Sequence, residues 1–349
     1  CDYLINKDFG VTIEQRGGLK VYYEIKEFIK KNHSLLITTA NFQPFQYWGF
    51  ENGIFDIYTG NGIVNDGRYF LRHVLKCNYN PNAKCPTFDR FLTSIAAGDE
   101  KLITLLWQVI GYLLSNDTSA KAFFAFIGPK DTGKSLLAHI LVDIVGVDVT
   151  SYLNASDFAG KFSLAELKGK KLNLCMDLPD RPLSPEVVAS IKALTGNDMM
   201  HSDVKFKDPV HFRPTTRLLY GSNSLIRTEF QDSAFMERMI IVPFRFSVPK
   251  DKQDYDLETK LCCEKAGIAL KAMAFYRQLV GNKYTFLSVP IPEGIGTCVD
   301  YIQIMQSFAS EFCEFTGCDE DKVFSTVLHE SYKNFCFSKN IVPQTLPEF

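Results

Sequence analysis

The sequence predicts an α/β fold with a mostly parallel sheet, flanked by a helical region on each side, and three observations carry that prediction. Short apolar runs of strand length alternate with amphipathic helical stretches between Ala122 and Pro249, the pattern that lays helices on the faces of a parallel sheet. The first of these runs passes directly into a glycine loop, GPKDTGKS at Gly128–Ser135, with a helix behind it. Before and after this region the apolar spacing becomes helical. The resulting division is 1–116, 117–249 and 250–349.

Taken in order, LKVYYEIKEFIKKN (Leu19–Asn32) spaces Val21, Ile25, Phe28 and Ile29 on one helical face. FENGIFDIYTGNG is richer in strand formers and turns, and TFDRFLTSIAAGDEKLITLLWQVIGYLLSND returns to helical spacing. AFFAFI (Ala122–Ile127) is a core strand, and KSLLAHILVDIVG an amphipathic helix stopped at Gly146. KLNLCM (Lys171–Met176) is a second core strand. LSPEVVASIKALTGND is a helix with Ser184 as N-cap, Pro185 in the first turn and Gly196 as the C-terminal stop. HSDVKFKDPVHFRP (His201–Pro214) is a hairpin turning around KDP. RLLYGS and MIIVPF supply further strands, and DKVFSTVLHESYKNFCFSKN looks like helix-turn-helix material.

Composition narrows the class. The chain has 349 residues, 46% apolar and 22% charged, enough for a full core in two or three domains. No apolar run approaches the roughly 20 residues that span a bilayer, and CDYLINKDFG is neither signal nor transit peptide. The expectation is a soluble, cytoplasmic protein with no membrane partner. Because the chain begins with Cys1 and closes on PQTLPEF, it is expected to be a piece of something longer. Its ten cysteines contain no CxxC pair, which favours reduced, buried thiols. A net charge of −2 gives no global attraction to nucleic acid, so any such binding must be local to a few cations.

GPKDTGKS fits GxxxxGK[ST] between a strand and a helix, the context that makes the string a site. Gly128, Pro129, Lys130, Asp131, Thr132, Gly133, Lys134 and Ser135 would wrap the phosphates of ATP. Lys134 supplies a point charge to the β and γ oxygens, and Ser135 an oxygen for Mg²⁺. Asp177, at the end of KLNLCMD, is placed to hold the Mg²⁺ shell, although an aspartate there also suits a turn. Asp180, after Pro179, reads equally as a turn residue. Asn223 ends the RLLYGS strand where it can orient water or sense a γ-phosphate. Arg238 taken alone reads as a surface arginine, and as a finger it would reach a neighbour's ATP. Lys205 and Lys207 suit either a grip on a phosphate backbone or a solvated hairpin.

As an ordered set, GPKDTGKS, LNLCMDLPD, TGND…KFKDPVHFRP, LLYGSN and ERMIIVPF closely resemble the superfamily 3 helicases. The likeness is strongest to the helicase portion of phage and plasmid-type primases and of poxvirus-type helicase-primases. NGIFDIYTG, CPTFDRFL, GDE and QVIGYLL look like the domain preceding the ATPase in those proteins, so the likeness runs from about Asn52 to the C-terminal helices. Many members have two adjacent acids at the strand end; here Met176 and Leu178 flank a single Asp177, and DLPD matches the poxvirus-type relatives. No paired-carboxylate primase site is visible, since Asp254 and Asp256 lie in a polar loop.

The resemblance implies an AAA+-like core at 117–249, with 1–116 as a possible oligomerisation collar and 250–349 as a helical, partly winged-helix-like end. It implies a ring of six subunits with ATP and Mg²⁺ between neighbours. Lys134 and Ser135 would be the nucleotide-loop residues, Asp177 the strand-end carboxylate, Asn223 the sensor and Arg238 the finger given in trans. Lys205 and Lys207 would lie in a hairpin lining a pore for single-stranded or forked DNA, with a primase domain in cis or in trans. The expected activity is ATP-dependent unwinding in replication of a phage, plasmid or virus, which would place the protein in the host cytoplasm. Two rivals remain. An ATP-switched initiator would bind DNA without unwinding it, and a P-loop small-molecule kinase would need an acceptor lid and no Arg238 from a neighbour.

Overall fold

The computed structural model describes residues 45–63, 71, 73–160, 162–204, 207–230, 232–248, 253–291, 301–314 and 322–338. The helix expected at Leu19–Asn32, Lys205, and Cys1, Cys298 and Cys318 lie outside the described residues. Phe45–Val64 and His73–Phe349 form one packing unit.

The described residues open with a small sheet of β1 (Tyr47–Phe50), β2 (Gly53–Asp56), β3 (Gly62–Ile63) and β4 (Val74–Leu75), in the order β3-β2-β1-β4. Helices α1 (Pro86–Ile95) and α2 (Glu100–Leu114) follow. Asp99 caps α2, its carboxylate accepting from the Lys101 and Leu102 amides.

The main sheet consists of β5 (Phe123–Ile127), β6 (Thr150–Ser151), β7 (Leu172–Cys175), β10 (Arg217–Ser222) and β11 (Met239–Pro243). All its pairings are parallel, in the order β11-β5-β10-β7-β6. Helix α3 (Lys134–Val145) crosses from β5 to β6, and α4 (Pro185–Gly196) follows β7. Every residue of β5 is buried, as a strand covered on both faces requires. Phe124 and Phe126 join a core with Leu137, Leu141, Leu106 and Met273, while Phe123, Ala125 and Ile127 face a second core with Val188, Ile191 and Phe235. The predicted mixed α/β architecture is therefore present, with five parallel strands and helices on both faces.

Between β7 and β10 a hairpin of β8 (Met200–Val204) and β9 (Lys207–Phe212) projects as its own two-stranded sheet. Beyond β10 come the short α5 (Ser233–Met236) and, after β11, α6 (Leu257–Cys262) and α7 (Lys265–Gly281). Helix α7 packs along α2, so helices from the 1–116 and 250–349 stretches share one core with the sheet of 117–249. Helices α8 (Tyr301–Phe312) and α9 (Ser325–Ser338) enclose a separate small core of Phe308, Tyr332, Phe335 and Cys336.

Three local expectations are corrected. Gly196 is the last helical residue of α4, and Asn197, at φ 60°, makes the left-handed stop; Asn tolerates that conformation almost as well as glycine. Val204 pairs with Lys207, so KDP opens β9 and does not form the hairpin turn. The stretch expected as helix-turn-helix is one continuous helix from Ser325 to Ser338, and only helices occur among the described residues after Pro243. No helix among the described residues is long and apolar enough to cross a membrane. All seven cysteines among them are free thiols, four of them buried.

Candidate functional site

The glycine loop lies at the carboxyl end of β5, the edge of a parallel sheet where ligands bind in α/β folds. Gly128 has φ +156°, and a Cβ there would lie 2.0 Å from the Phe244 carbonyl oxygen. Only glycine lets the loop start so close to the neighbouring strand. The loop is braced from behind, where Ser247 Oγ donates to the Lys130 carbonyl (2.6 Å) and the Val248 amide to the Asp131 carbonyl (2.8 Å). Gly133, at φ +89°, caps α3 and rests against Phe91 and Ile95 of α1. A twelve-residue helix therefore begins at the loop, where its first-turn amides and dipole favour an anion.

Lys134 is buried, and its ammonium donates to the carbonyls of Gly128 (2.6 Å) and Pro129 and to Thr132 Oγ1 (3.3 Å). Burial lowers its pKa below the ordinary 10.5, partly opposed by the Asp131 carboxylate. Ser135, the next residue, is exposed at the start of α3.

Asp177 lies two residues beyond β7 and is exposed; the Leu178 amide donates to the Gly221 carbonyl (2.9 Å), holding this segment against β10. Asn223 directly follows β10. Since β10 lies between β5 and β7, Asn223 leaves the sheet between the glycine loop and Asp177. Lys130 through Ser135, Asp177 and Asn223 all line one open cleft of about 1210 Å³. Asp180 is directed elsewhere, pairing with Arg227 at 3.0 Å on the surface.

Arg238 stands outside this cleft. It is half-buried, and its Nη1 donates to the Lys192 carbonyl and to Thr195 Oγ1 (3.3 Å) near the carboxyl end of α4. Beside it Lys192 and Asp232 form an ion pair, and that hydrogen bond holds the Asp232 carboxyl below its ordinary pKa. Lys205 and the side chain of Lys207 fall outside the described residues, with the backbone of Lys207 at the start of β9.

Sequence reasoning missed part of the cleft wall. Thr87, Arg90 and Ser94 of α1 line one side, and Gln253, Tyr255 and Lys260 from the segment after β11 line another. Thr87 and Arg90 lie within CPTFDRFL, which reads as part of a preceding domain and not as cleft wall; the first-turn amides of α1, Thr87 and Phe88, are capped by the Glu264 carboxylate at 3.0 and 2.8 Å.

Two family models match the chain: "D5 N terminal like" over residues 7–96, and "Family of unknown function (DUF5906)" over residues 126–238. The relatives include a "Putative helicase" of Acanthamoeba polyphaga mimivirus, 24% identical over 211 residues, covering 56% of this chain and 21% of that protein. The chain resembles the phage and viral helicase-primases. An "Uncharacterized mitochondrial protein" of Marchantia polymorpha is 30% identical over 104 residues, covering 29% of this chain and 57% of that one. The chain thus spans about a fifth of the mimiviral relative and just over half of the Marchantia one. Among solved structures, the apo NrS-1 C-terminal region aligns at TM-score 0.48 and 13% identity, covering 84% of this chain and 74% of that one. A second apo form gives TM-score 0.48 at 12% identity over 93% and 83%.

Proposed function

We propose that this chain is the ATP-hydrolysing motor segment of a replicative DNA helicase. The observation that carries the reading is the convergence of Lys134, Ser135, Asp177 and Asn223 on one cleft at the carboxyl edge of a parallel sheet. The strand order supports it, because β10 separates the glycine-loop strand from the carboxylate strand and puts a third polar group between them.

The residues fit ATP and Mg²⁺. A loop start too tight for a Cβ, a helix beginning at the loop and a buried ammonium suit a polyphosphate. A hydroxyl and a carboxylate are the hard oxygen donors that Mg²⁺ takes while keeping most of its waters. When bound, Mg²⁺ supplies charge neutralisation at the phosphates. Ser135 and Asp177 are the groups that would hold it. Lys134 exchanges the Gly128 and Pro129 carbonyls for phosphate oxygens, which are stronger acceptors. Asp177 and Asn223 orient the attacking water from adjacent strand ends. Catalysis is thus chiefly positioning and electrostatics.

Arg238 is the candidate finger acting on a neighbouring subunit's nucleotide in a six-membered ring. Its place outside its own cleft supports this, as does the fact that, among the described residues, the bonds to α4 engage Nη1 alone, because a guanidinium has five donors. The β8–β9 hairpin, with Lys205 and Lys207, would grip single-stranded or forked DNA in the central pore. A primase domain in cis or in trans completes the proposal, as does action in the cytoplasm of the host cell.

The test is ATP turnover with and without single-stranded DNA, together with displacement of a labelled strand from a fork. Turnover should rise with DNA, and the fork should open. DNA bound in an ATP-dependent way with the fork left intact would replace the motor with an assembly switch. Turnover indifferent to DNA, with no ATP-dependent DNA binding, would remove both readings. Mixing Arg238→Ala subunits with Lys134→Ala subunits should restore some hydrolysis, and no restoration would sink the shared site.

A further inference from the structure

We infer that the β8–β9 hairpin carries a site for a divalent transition metal of the zinc class, built on the cross-strand pair His201 and His211. The two residues are register partners, so their rings stand side by side on one face of the hairpin, with centroids 4.6 Å apart. His201 Nδ1 lies 3.4 Å from His211 Nε2. That is long for a hydrogen bond, since N–H donors usually sit about 2.9–3.0 Å from an acceptor. It is the separation two imidazole nitrogens adopt on one tetrahedral ion: metal–nitrogen bonds of about 2.0–2.1 Å put the nitrogens about 3.3–3.4 Å apart.

The third side chain has a different role. His201 Nε2, on the far side of the ring, faces Asp203 Oδ1 at 3.6 Å. That is beyond hydrogen-bond length, and a small shift of either side chain would let the carboxylate accept from Nε2, the outer contact that commonly orients a histidine binding metal through its other nitrogen. The ladder shifts register between Ser202 and Val204, a bulge of the kind that re-aims a side chain, and Asp203 lies within it.

Among the described residues no three His, Cys, Asp or Glu side chains gather into a metal cage. The protein therefore offers two ligands, and the remaining positions fall to water or to an oxygen of a bound anion. Two imidazoles suit zinc, copper or nickel, whereas magnesium and calcium take oxygen ligands. The His201 side chain is 55% exposed, so an ion reaches it directly. None of these residues lines the glycine-loop cleft, so metal binding at the pair is measured separately from nucleotide binding and turnover.

Titration of the full chain with ZnCl₂ against a chromophoric chelator, and with CoCl₂ followed by its visible absorption, should show one ion per chain that depends on this pair. His201→Ala and His211→Ala should each weaken that binding at least tenfold, and Asp203→Asn about tenfold. The far-ultraviolet circular dichroism and melting temperature of the exposed-site variants report that the fold survives. Absence of cobalt absorption in the wild-type protein would overturn the site, as would equal binding by the wild type and the His201→Ala/His211→Ala double variant.

Discussion

Lys134 Nζ donates to the Gly128 carbonyl oxygen at 2.6 Å, so the cation of the glycine loop is bent back onto the turn that precedes it. Burial keeps its pKa below the ordinary value in this state. A polyphosphate in the loop would raise that pKa again, because an adjacent negative charge favours the ammonium. Nucleotide binding should therefore take up protons on the alkaline side, and calorimetry in two buffers of different ionisation enthalpy, repeated along a series of alkaline pH values, measures this. Lys134→Ala should remove the uptake and lower turnover by about 100-fold or more. Uptake that persists in that variant would assign the proton to another group.

Asp177 and Asp180, three residues apart, have separate surroundings: one lines the cleft and the other pairs with Arg227. Asp177→Asn should cost about 100-fold in turnover. Asp180→Asn should stay within a few-fold, since an exposed ion pair contributes at most about 1 kcal/mol. Steady-state turnover of the two variants side by side is the measurement, and equal large losses would mean the duty is shared.

Glu264 stands at the head of α7 and caps α1 across 176 residues of chain. Removing it leaves two amide donors of the cleft-wall helix without their carboxylate. Glu264→Ala should lower stability by about 1–3 kcal/mol and weaken nucleotide binding more than turnover at saturation. Chemical denaturation and the split between KM and kcat test this together. Unchanged affinity would mean that α1 holds its place without the cap.

Three carboxylates tie stability to acid pH. Asp99 is held below the ordinary 3.8 by the Leu102 amide, and further by the Lys101 amide and Arg245. Asp143 is lowered by the Cys262 thiol and by Lys265, and Asp232 by the Lys192 ammonium. Because the folded values are depressed, the unfolded chain binds more protons as the pH falls below about 4. Their contribution is complete above that value and is lost as the pH drops through the folded values. Melting temperature recorded from pH 5 downward should fall steeply, and the Asp99→Asn/Asp143→Asn/Asp232→Asn variant should fall less steeply from a lower start. Parallel curves would assign the acid transition to other groups.

What the sequence made legible was local. Five buried residues in a row define β5, and GPKDTGKS states its own spacing, so the strand, the loop and α3 are visible without tertiary information. The same holds for the single carboxylate after β7. Arg90, Tyr255 and Glu264 were not legible, because they reach the cleft or its wall through packing between segments distant in the chain, 177 residues apart for Glu264 and Thr87. Lys171 opens the KLNLCM run, which offers no partner for its ammonium. It is in fact 1% exposed, with its ammonium on the Leu114 carbonyl, and burial followed by the nearby Arg217 charge pushes its pKa well down. A lysine seldom enters a core without a carboxylate partner, and only the end of α2, 57 residues upstream, shows why this one does.

One strand sets the width of the cleft. With β10 hydrogen-bonded to β5 along one edge and to β7 along the other, the glycine loop and Asp177 leave the sheet two strand spacings apart, about 9.5 Å between axes. That gauge is fixed by main-chain hydrogen bonds. Substitutions at the tips of the strands can change which groups face the gap, but not how far apart its two banks stand.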